Sequence, residues 1–305
     1  MLRNGTDDYG RVIMKISLIT GTLNRVDELD RLFQSLQAQT HTDFEVILVD
    51  QNPDNRLDKL VATYSQHFPI LHLRQKEKGL SRARNLARSY VTGDVVAFPD
   101  DDSVYPPNVL AHVSAFFEND PTWDGVVARI LDIEDDKNAD TFAEDEDESG
   151  VVNYWKGYAV GISHAMFFRA HVVKAVAFDE KMGVGAGTWW GSAEDSDYMF
   201  QCLHANYAVY YDATFIVRHP SPHKTHSFRE LIRRRFNYGL GNGYLIGKQP
   251  LPEKFVKSTF RSGYQHALIE SRRGNWQRAS MFLAWGVGTS IGYGAGVRRR
   301  WKMSV

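Results

Sequence analysis

Val95-Val96-Ala97-Phe98-Pro99-Asp100-Asp101-Asp102 decides how this chain is read. A short apolar run fits a buried strand, Pro99 ends it, and three consecutive carboxylates follow. Similar segments recur upstream. Ile16-Ser17-Leu18-Ile19-Thr20 reads as a strand, and Leu29, Leu32, Phe33 and Leu36 follow at helical spacing. Phe44 to Asp50 is a second strand, with Leu57, Leu60, Val61 and Tyr64 on the next helical face. Ile70 to Arg74 is a third, and Leu80, Ala83, Leu86 and Tyr90 trace the helix that leads into the Val95 strand. This βαβαβαβ series predicts an α/β fold with a Rossmann-like, mostly parallel sheet flanked by helices. Ligands of such sheets collect at the C-terminal strand ends, so Thr20, Asp50 and Asp100 are expected to line one crevice.

The carboxylates carry their own chemistry. In extended chain alternate side chains share a face, so Asp100 and Asp102 point together while Asp101 points away. Such a pair suits Mn2+ or Mg2+, hard cations whose remaining ligands commonly come from water and substrate phosphates. A phosphorylated substrate is therefore implied. The competing reading is an acidic turn that caps the helix suggested by Pro106-Pro107-Asn108-Val109-Leu110.

Composition frames these readings. The 305 residues are 43% hydrophobic and 24% charged, which fits a globular chain of one large domain with or without an appendage. The single cysteine, Cys202, excludes an internal disulfide framework and a Cys-based zinc site. No N-terminal segment has the order of a signal peptide, so a cytoplasmic location is expected. The net charge of -1 conceals a division, because residues 218 to 305 hold 17 Lys and Arg against Glu230, Glu253 and Glu270. A basic C-terminal region points to an anionic surface, or else to solvated helix faces docked on an acidic domain.

After Gly125 to Ile130 the alternation stops. Residues 132 to 149 hold ten acidic residues and one Lys, and are expected to form a mobile loop. Tyr158 to Arg169 reads as a strand-like stretch. Gly183, Gly185, Gly187 and Gly191 suggest a flexible substrate loop carrying Trp189 and Trp190, and Glu194-Asp195-Ser196-Asp197 opens the next helix. The glycine runs at 183–187 and 239–243 lack the strand–turn–helix setting of a dinucleotide loop, which excludes a nicotinamide enzyme.

Taken together these pieces resemble the GT-A glycosyltransferases of family 2, of the polysaccharide-assembling type, over roughly residues 15 to 240. The resemblance implies a metal-dependent inverting transferase, a hexosyltransferase by preference, that uses a nucleotide-diphospho-sugar. It assigns the first strand and its loop, with Thr20, Asn24 and Arg25, to the donor site, and Asp50 to the base, where a carboxylate accepts from uracil N3–H. It places Arg84, in Gly79-Leu80-Ser81-Arg82-Ala83-Arg84-Asn85, at the donor diphosphate. Asp100 and Asp101 fall to the donor, and Asp102 with His219 to the metal. His223 is a second choice for the metal. Asp195 becomes the general base toward the acceptor hydroxyl with Glu194 beside it, and Trp189 and Trp190 offer aromatic faces to an acceptor sugar.

The implied domain plan is a tail over 1–14, a catalytic domain over 15–226 and a basic helical region over 227–305. The donor half of the catalytic domain covers about 15–131 and the acceptor half about 150–226. Residues 281–297 are apolar and glycine-rich but shorter than the roughly 20 residues of a secure span. An interfacial or re-entrant helix is expected there, attached peripherally to the inner face of a membrane, with a helix packed on the protein as the alternative. The implied partners are a UDP-sugar by preference, a glycan or lipid-linked acceptor and an anionic membrane surface, with no nucleic acid. A sugar-nucleotide nucleotidyltransferase and a noncatalytic nucleotide or glycan-binding module are the alternatives.

Overall fold

The computed structural model describes residues 14–134, 147–220 and 227–303. The acidic stretch over 135–146, His223, His226 and the tail to residue 13 lie outside the described residues. The chain divides into two compact units. Met1–Lys78, Arg82–Ala177 and Gln201–Ser221 form the first, and Gly79–Ser81, Phe178–Phe200 and Pro222–Val305 form the second.

The first unit is built on an eight-stranded sheet. Its first half follows the predicted alternation: β1 (Ile16–Thr22), α1 (Asp27–Gln37), β2 (Phe44–Asp50), α2 (Asp58–Tyr64), β3 (Ile70–Arg74), α3 (Leu80–Ala87, whose first residues belong to the second unit) and β4 (Val95–Ala97). The second half comprises α4 (Val109–Asn119), β5 (Gly125–Asp132), β6 (Gly150–Val151), α5 (Tyr154–Val160), β7 (Met166–Arg169), α6 (Ala170–Ala175), the end of α7 (Glu194–His204) and β8 (Val209–His219). Across the sheet the order is β3-β2-β1-β4-β7-β5-β8-β6. The pairs β1–β2, β1–β4, β2–β3 and β5–β8 are parallel; β7 runs antiparallel to both β4 and β5. Burial explains the uninterrupted apolar runs: Leu18, Val46, Leu48, Val95, Val96 and Ala97 are fully buried because helices cover both faces of the sheet.

Two local outcomes depart from the sequence reading. β1 continues to Thr22, which pairs with Asp50, so Thr20 lies within the strand and is fully buried. Part of Tyr158 to Arg169 is helix rather than strand. The Asn153 side chain accepts from the backbone N–H groups of Trp155 and Lys156, starting α5. A 3-10 turn over Ser163–Ala165 then leads into β7.

The second unit consists of α8 (Phe228–Lys248), α9 (Glu253–Arg272), α10 (Trp276–Met303) and the segment Phe178–Phe200, which includes the start of α7. The helices α8 and α10 meet along matching glycine rows. A Cβ at Gly239, Gly243 or Gly247 would lie 2.2, 2.1 or 2.5 Å from the carbonyl oxygen of Trp285, Thr289 or Tyr293. In return, one at Gly288, Gly292 or Gly296 would lie 2.3, 2.0 or 2.3 Å from that of Phe236, Leu240 or Tyr244. Spacing of four residues puts each row on one helix face, and the missing side chains let the backbones touch. The glycines expected in an interfacial or re-entrant segment therefore build a helix–helix contact. No helix among the described residues is long and apolar enough to cross a membrane.

The end of α8 is tied to the segment before and within α7. Lys248 Nζ donates to Asp179 at 2.7 Å and to Asp197 at 2.8 Å, and Gln249 Nε2 donates to the other Asp197 oxygen at 2.6 Å. Burial alone would push the Asp179 carboxyl up, but the Lys248 ammonium outweighs it and holds the group below its ordinary value.

Candidate functional site

The sheet order explains why residues distant in sequence gather at one edge. The β7 strand runs against β4, so the residues just before β7 sit beside those just after β4. The β8 strand runs parallel to β5 and ends at His219, opposite Asp132. A bridge between Val104 and Arg218, with backbone hydrogen bonds of 2.8 and 2.9 Å, draws the end of β8 to the loop after the three aspartates.

The result is a cluster with metal-ligand character. Asp100, His164 and His219 each offer one ligand atom within 4.8 Å of the others. His164 Nδ1 lies 3.3 Å from Asp100 Oδ2, and His219 Nε2 lies 3.2 Å from Asp102 Oδ1. The two imidazole rings stack, with centroids 4.5 Å apart and planes at 12°. Neither ring nitrogen of buried His164 nor the buried Asp102 Oδ1 makes a well-aligned hydrogen bond among the described residues, the near neighbours being the ion-pair partners just named. Buried polar atoms without partners are costly, and several pointing into one small volume fit a cation that would complete them. Two carboxylates with two imidazoles form a borderline donor set, which favours Mn2+ over the strongly oxygen-seeking Mg2+.

Asp100 is held ionised. Burial opposes its charge, but His164, Arg84 and His219 outweigh that and hold the carboxyl well below the usual range. Arg84, expected at the donor diphosphate, is only 2% exposed; its Nη2 donates to Asp100 at 2.9 Å and to Ser163 Oγ at 2.6 Å. It therefore orients a cluster carboxylate and the turn bearing His164.

Asp101 and Asp102 lie in a turn rather than in the extended chain the sequence reading assumed, and Asp101 reaches back to the end of β1. It accepts from Thr22 Oγ1 at 2.7 Å and from Arg25 Nη1 at 2.8 Å. Burial pushes its carboxyl up to about 6 against the pull of Arg25 and Thr22, with the neighbouring Asp102 and Asp100 charges adding to the rise. Arg25 also donates to Asp102, and its side chain is 44% exposed. One guanidinium thus spans two adjacent carboxylates at the mouth of the cluster.

At the neighbouring strand end Asp50 is fully buried. Its Oδ1 accepts from the backbone and side-chain nitrogens of Asn52 at 2.8 and 2.7 Å, and its Oδ2 lies 3.0 Å from His72 Nε2. Asn52 Oδ1 in turn accepts from the backbone N–H of Asn24 at 2.7 Å. Asn24 holds a left-handed backbone at φ 62°, a conformation asparagine tolerates better than most residues.

Within the second unit, the residues expected on the acceptor side stand on a loop stitched to itself. Gly183 N donates to Trp190 O, Thr188 Oγ1 to Lys181 O, and Leu80 N to Val184 O, at 3.1, 2.6 and 3.0 Å. Glycine suits position 183: its φ is 93°, and a Cβ would lie 2.9 Å from the Glu194 side chain, which would have to shift. Trp190 stacks on Tyr244 of α8 at 4.9 Å and 8°, while Trp189 is 75% exposed. Of the two rings, Trp189 is the one presented to solvent. Ala193 has φ 64°, a strained value for alanine, immediately before Glu194 and Asp195. Glu194 is buried at the start of α7 and Asp195 is partly exposed there.

Sequence reasoning missed Ser163 and His164, and took Thr22 only as part of the donor strand and its loop. Thr22 was legible as the second residue past Thr20 on the same strand face. His164 was not, because its place depends on β7 inserting antiparallel beside β4, which no local pattern announces.

Comparison with known proteins adds to this geometry. The profile described as Glycosyl transferase family 2 matches residues 17–176. An uncharacterised glycosyltransferase of Nostoc sp. is 35% identical over 107 residues, covering 34% of this chain and 33% of that protein. The chain thus spans about a third of that relative's length. Among solved structures, the mannosyltransferase PcManGT from Pyrobaculum calidifontis, in complex with GDP-Man and Mn2+, has a TM-score of 0.64 at 17% identity, covering 94% of this chain and 90% of that one. S. aureus TarS 1-349 in complex with UDP has a TM-score of 0.57 at 15% identity, covering 91% and 90%. At these identities the structures establish the fold, a mixed α/β architecture of the GT-A type.

Proposed function

From membership of glycosyl transferase family 2, to which this chain belongs, we propose that it moves a sugar, a hexose by preference, from a nucleotide-diphospho-sugar to a hydroxyl of a glycan or lipid-linked oligosaccharide, with inversion. A UDP-sugar is the favoured donor and polysaccharide assembly the setting. The observation that carries this reading is the convergence of Asp100, His164 and His219, with Asp102 beside His219, at the C-terminal edge of the sheet. The similar solved structures named above are complexes with a nucleotide or nucleotide-sugar, one of them also with Mn2+.

In this account Asp102, His219, Asp100 and His164 would hold Mn2+ or Mg2+, which would supply positive charge against the departing nucleoside diphosphate. Arg84 keeps Asp100 ionised and aimed. Arg25, anchored by Asp101, extends its remaining guanidinium donors toward phosphate oxygens. Asp50, fixed by Asn52 and His72, closes the base end, with Asn24 and Thr20 shaping the strand beneath. Asp195 accepts the acceptor hydroxyl proton as that oxygen attacks the anomeric carbon opposite the leaving group, giving inversion in one displacement. Glu194 packs against Gly183 and fixes the loop on which Trp189 offers an aromatic face to the acceptor sugar. A cytoplasmic site at the inner face of a membrane completes the proposal.

The test is thermal stability with UDP, GDP and dTDP, each with Mn2+ and with chelator. Ligand at a hundredfold excess over its dissociation constant stabilises by about 2.7 kcal/mol. A rise with one nucleotide that chelator removes is expected, with UDP giving the largest. No rise with any nucleotide in folded protein would reject the donor site.

A further inference from the structure

The last two helices expose a line of large apolar side chains among their polar and charged ones. On α10 the outward line runs through Trp276, Leu283, Val287 and Ile291, of which Leu283 is 48% and Ile291 54% exposed. Its opposite side carries the glycines that meet α8. Tyr264 of α9 reaches across to Gly286 O at 3.2 Å and Ser290 Oγ at 2.8 Å, so Tyr264 and Leu268, both exposed, extend the same patch. No charged residue interrupts the sequence from Ala279 to Val297, and Arg278 and Arg298 bracket it. Exposed Arg261, Arg272 and Arg273 lie along the neighbouring helix. Residues 227–303 hold fifteen Lys and Arg against three Glu.

We propose that this α9–α10 face docks on an anionic lipid bilayer, with Leu268, Leu283, Val287 and Ile291 seated at the boundary between headgroups and acyl chains. A helix that lies in that plane needs one apolar side, a basic rim and no spanning length, and α10 has each. The twenty-one residues from Arg278 to Arg298 extend about 30 Å along the surface, placing a guanidinium for lipid phosphate at both ends. Charge selects the bilayer over a second copy of the chain. In a two-fold dimer the same basic rim would face itself, whereas anionic headgroups neutralise it. The inference stands on the second unit alone and does not depend on the transferase reading.

The experiment is flotation of the full chain with phosphatidylcholine vesicles, with and without phosphatidylglycerol, at low and high salt. Wild type is expected to float only with the anionic vesicles, and salt is expected to weaken it. The combined variant Leu283→Ser/Val287→Ser/Ile291→Ser, and separately Arg261→Glu/Arg298→Glu, are expected to bind at least about tenfold less. All five positions are exposed, and melting curves matching wild type confirm that the variants fold. Failure of wild type to float, or wild-type binding by the triple serine variant, overturns the proposal. So does a wild-type dimer in light scattering that the triple variant converts to monomer, since a second copy then covers the face. Nucleotide-dependent stabilisation, measured on the same samples without vesicles, reports on the donor site separately.

Discussion

Asp195→Asn is expected to lower sugar transfer by about a hundred- to ten-thousandfold while leaving metal-dependent nucleotide affinity unchanged. The range is that of a positioned general base, whose loss leaves the donor complex intact but no acceptor for the hydroxyl proton. Asparagine keeps the shape of the side chain and removes its charge and basicity. The variant therefore tests chemistry rather than packing, and its place at the start of α7, partly exposed, makes a folding defect an unneeded explanation. The measurement is a pair of titrations: turnover against donor concentration, and nucleotide binding by calorimetry. Unchanged turnover would remove Asp195 from the mechanism. Pyrophosphate release from a nucleoside triphosphate would instead assign the chain to nucleotidyl transfer. Nucleotide binding without turnover in wild type, with donors and acceptors broadly sampled, would favour a binding module.

The second large effect concerns stability. Gly292→Ala is expected to destabilise the second unit by about 3 kcal/mol, because overpacking costs most where neither side can yield. The added Cβ would lie 2.0 Å from Leu240 O and 2.9 Å from both Leu240 C and Tyr244 N. All three are backbone atoms of α8, so relief requires the helices to separate and loosens the contacts on either side. Gly294→Ala, two residues along the same helix, has nothing within 4 Å of its Cβ. There the higher helix propensity of alanine is expected to stabilise by about 0.5–1 kcal/mol. Thermal melts of the two variants should therefore shift in opposite directions. Equal shifts would mean that the glycine rows do not set the α8–α10 approach.

The contrast between these two glycines also shows what sequence alone could deliver. The strands β1 to β4 were legible because each is a compact apolar run ended by a polar residue, and the helices between them show one apolar face. The family was legible in Asp100-Asp101-Asp102 and Glu194-Asp195 because their order along the chain matched a known arrangement. The helix α10 was harder to read. Glycine lowers both apparent hydrophobicity and helix propensity, so nothing local marked Gly288, Gly292 and Gly296 as the row that meets α8 in close backbone contact. The buried half of the site was hidden for another reason. Arg84 reads as a phosphate ligand by motif, and only the three-dimensional packing shows that its Nη2 also donates to Asp100 and Ser163. His164 carries no local signal, since its ligand character arises from strands β4 and β7 meeting antiparallel.

The central claim is that Asp100, Asp102, His164 and His219 form one divalent-cation site, and Mn2+ paramagnetic resonance tests it most directly. Free Mn2+ gives a sharp six-line spectrum that fades on binding to protein. With UDP present, wild type should bind one equivalent, and Asp102→Asn combined with His219→Ala should leave the free-ion signal at nearly its protein-free intensity. Mn2+ bound equally by wild type and the double variant, or by neither, would contradict the account.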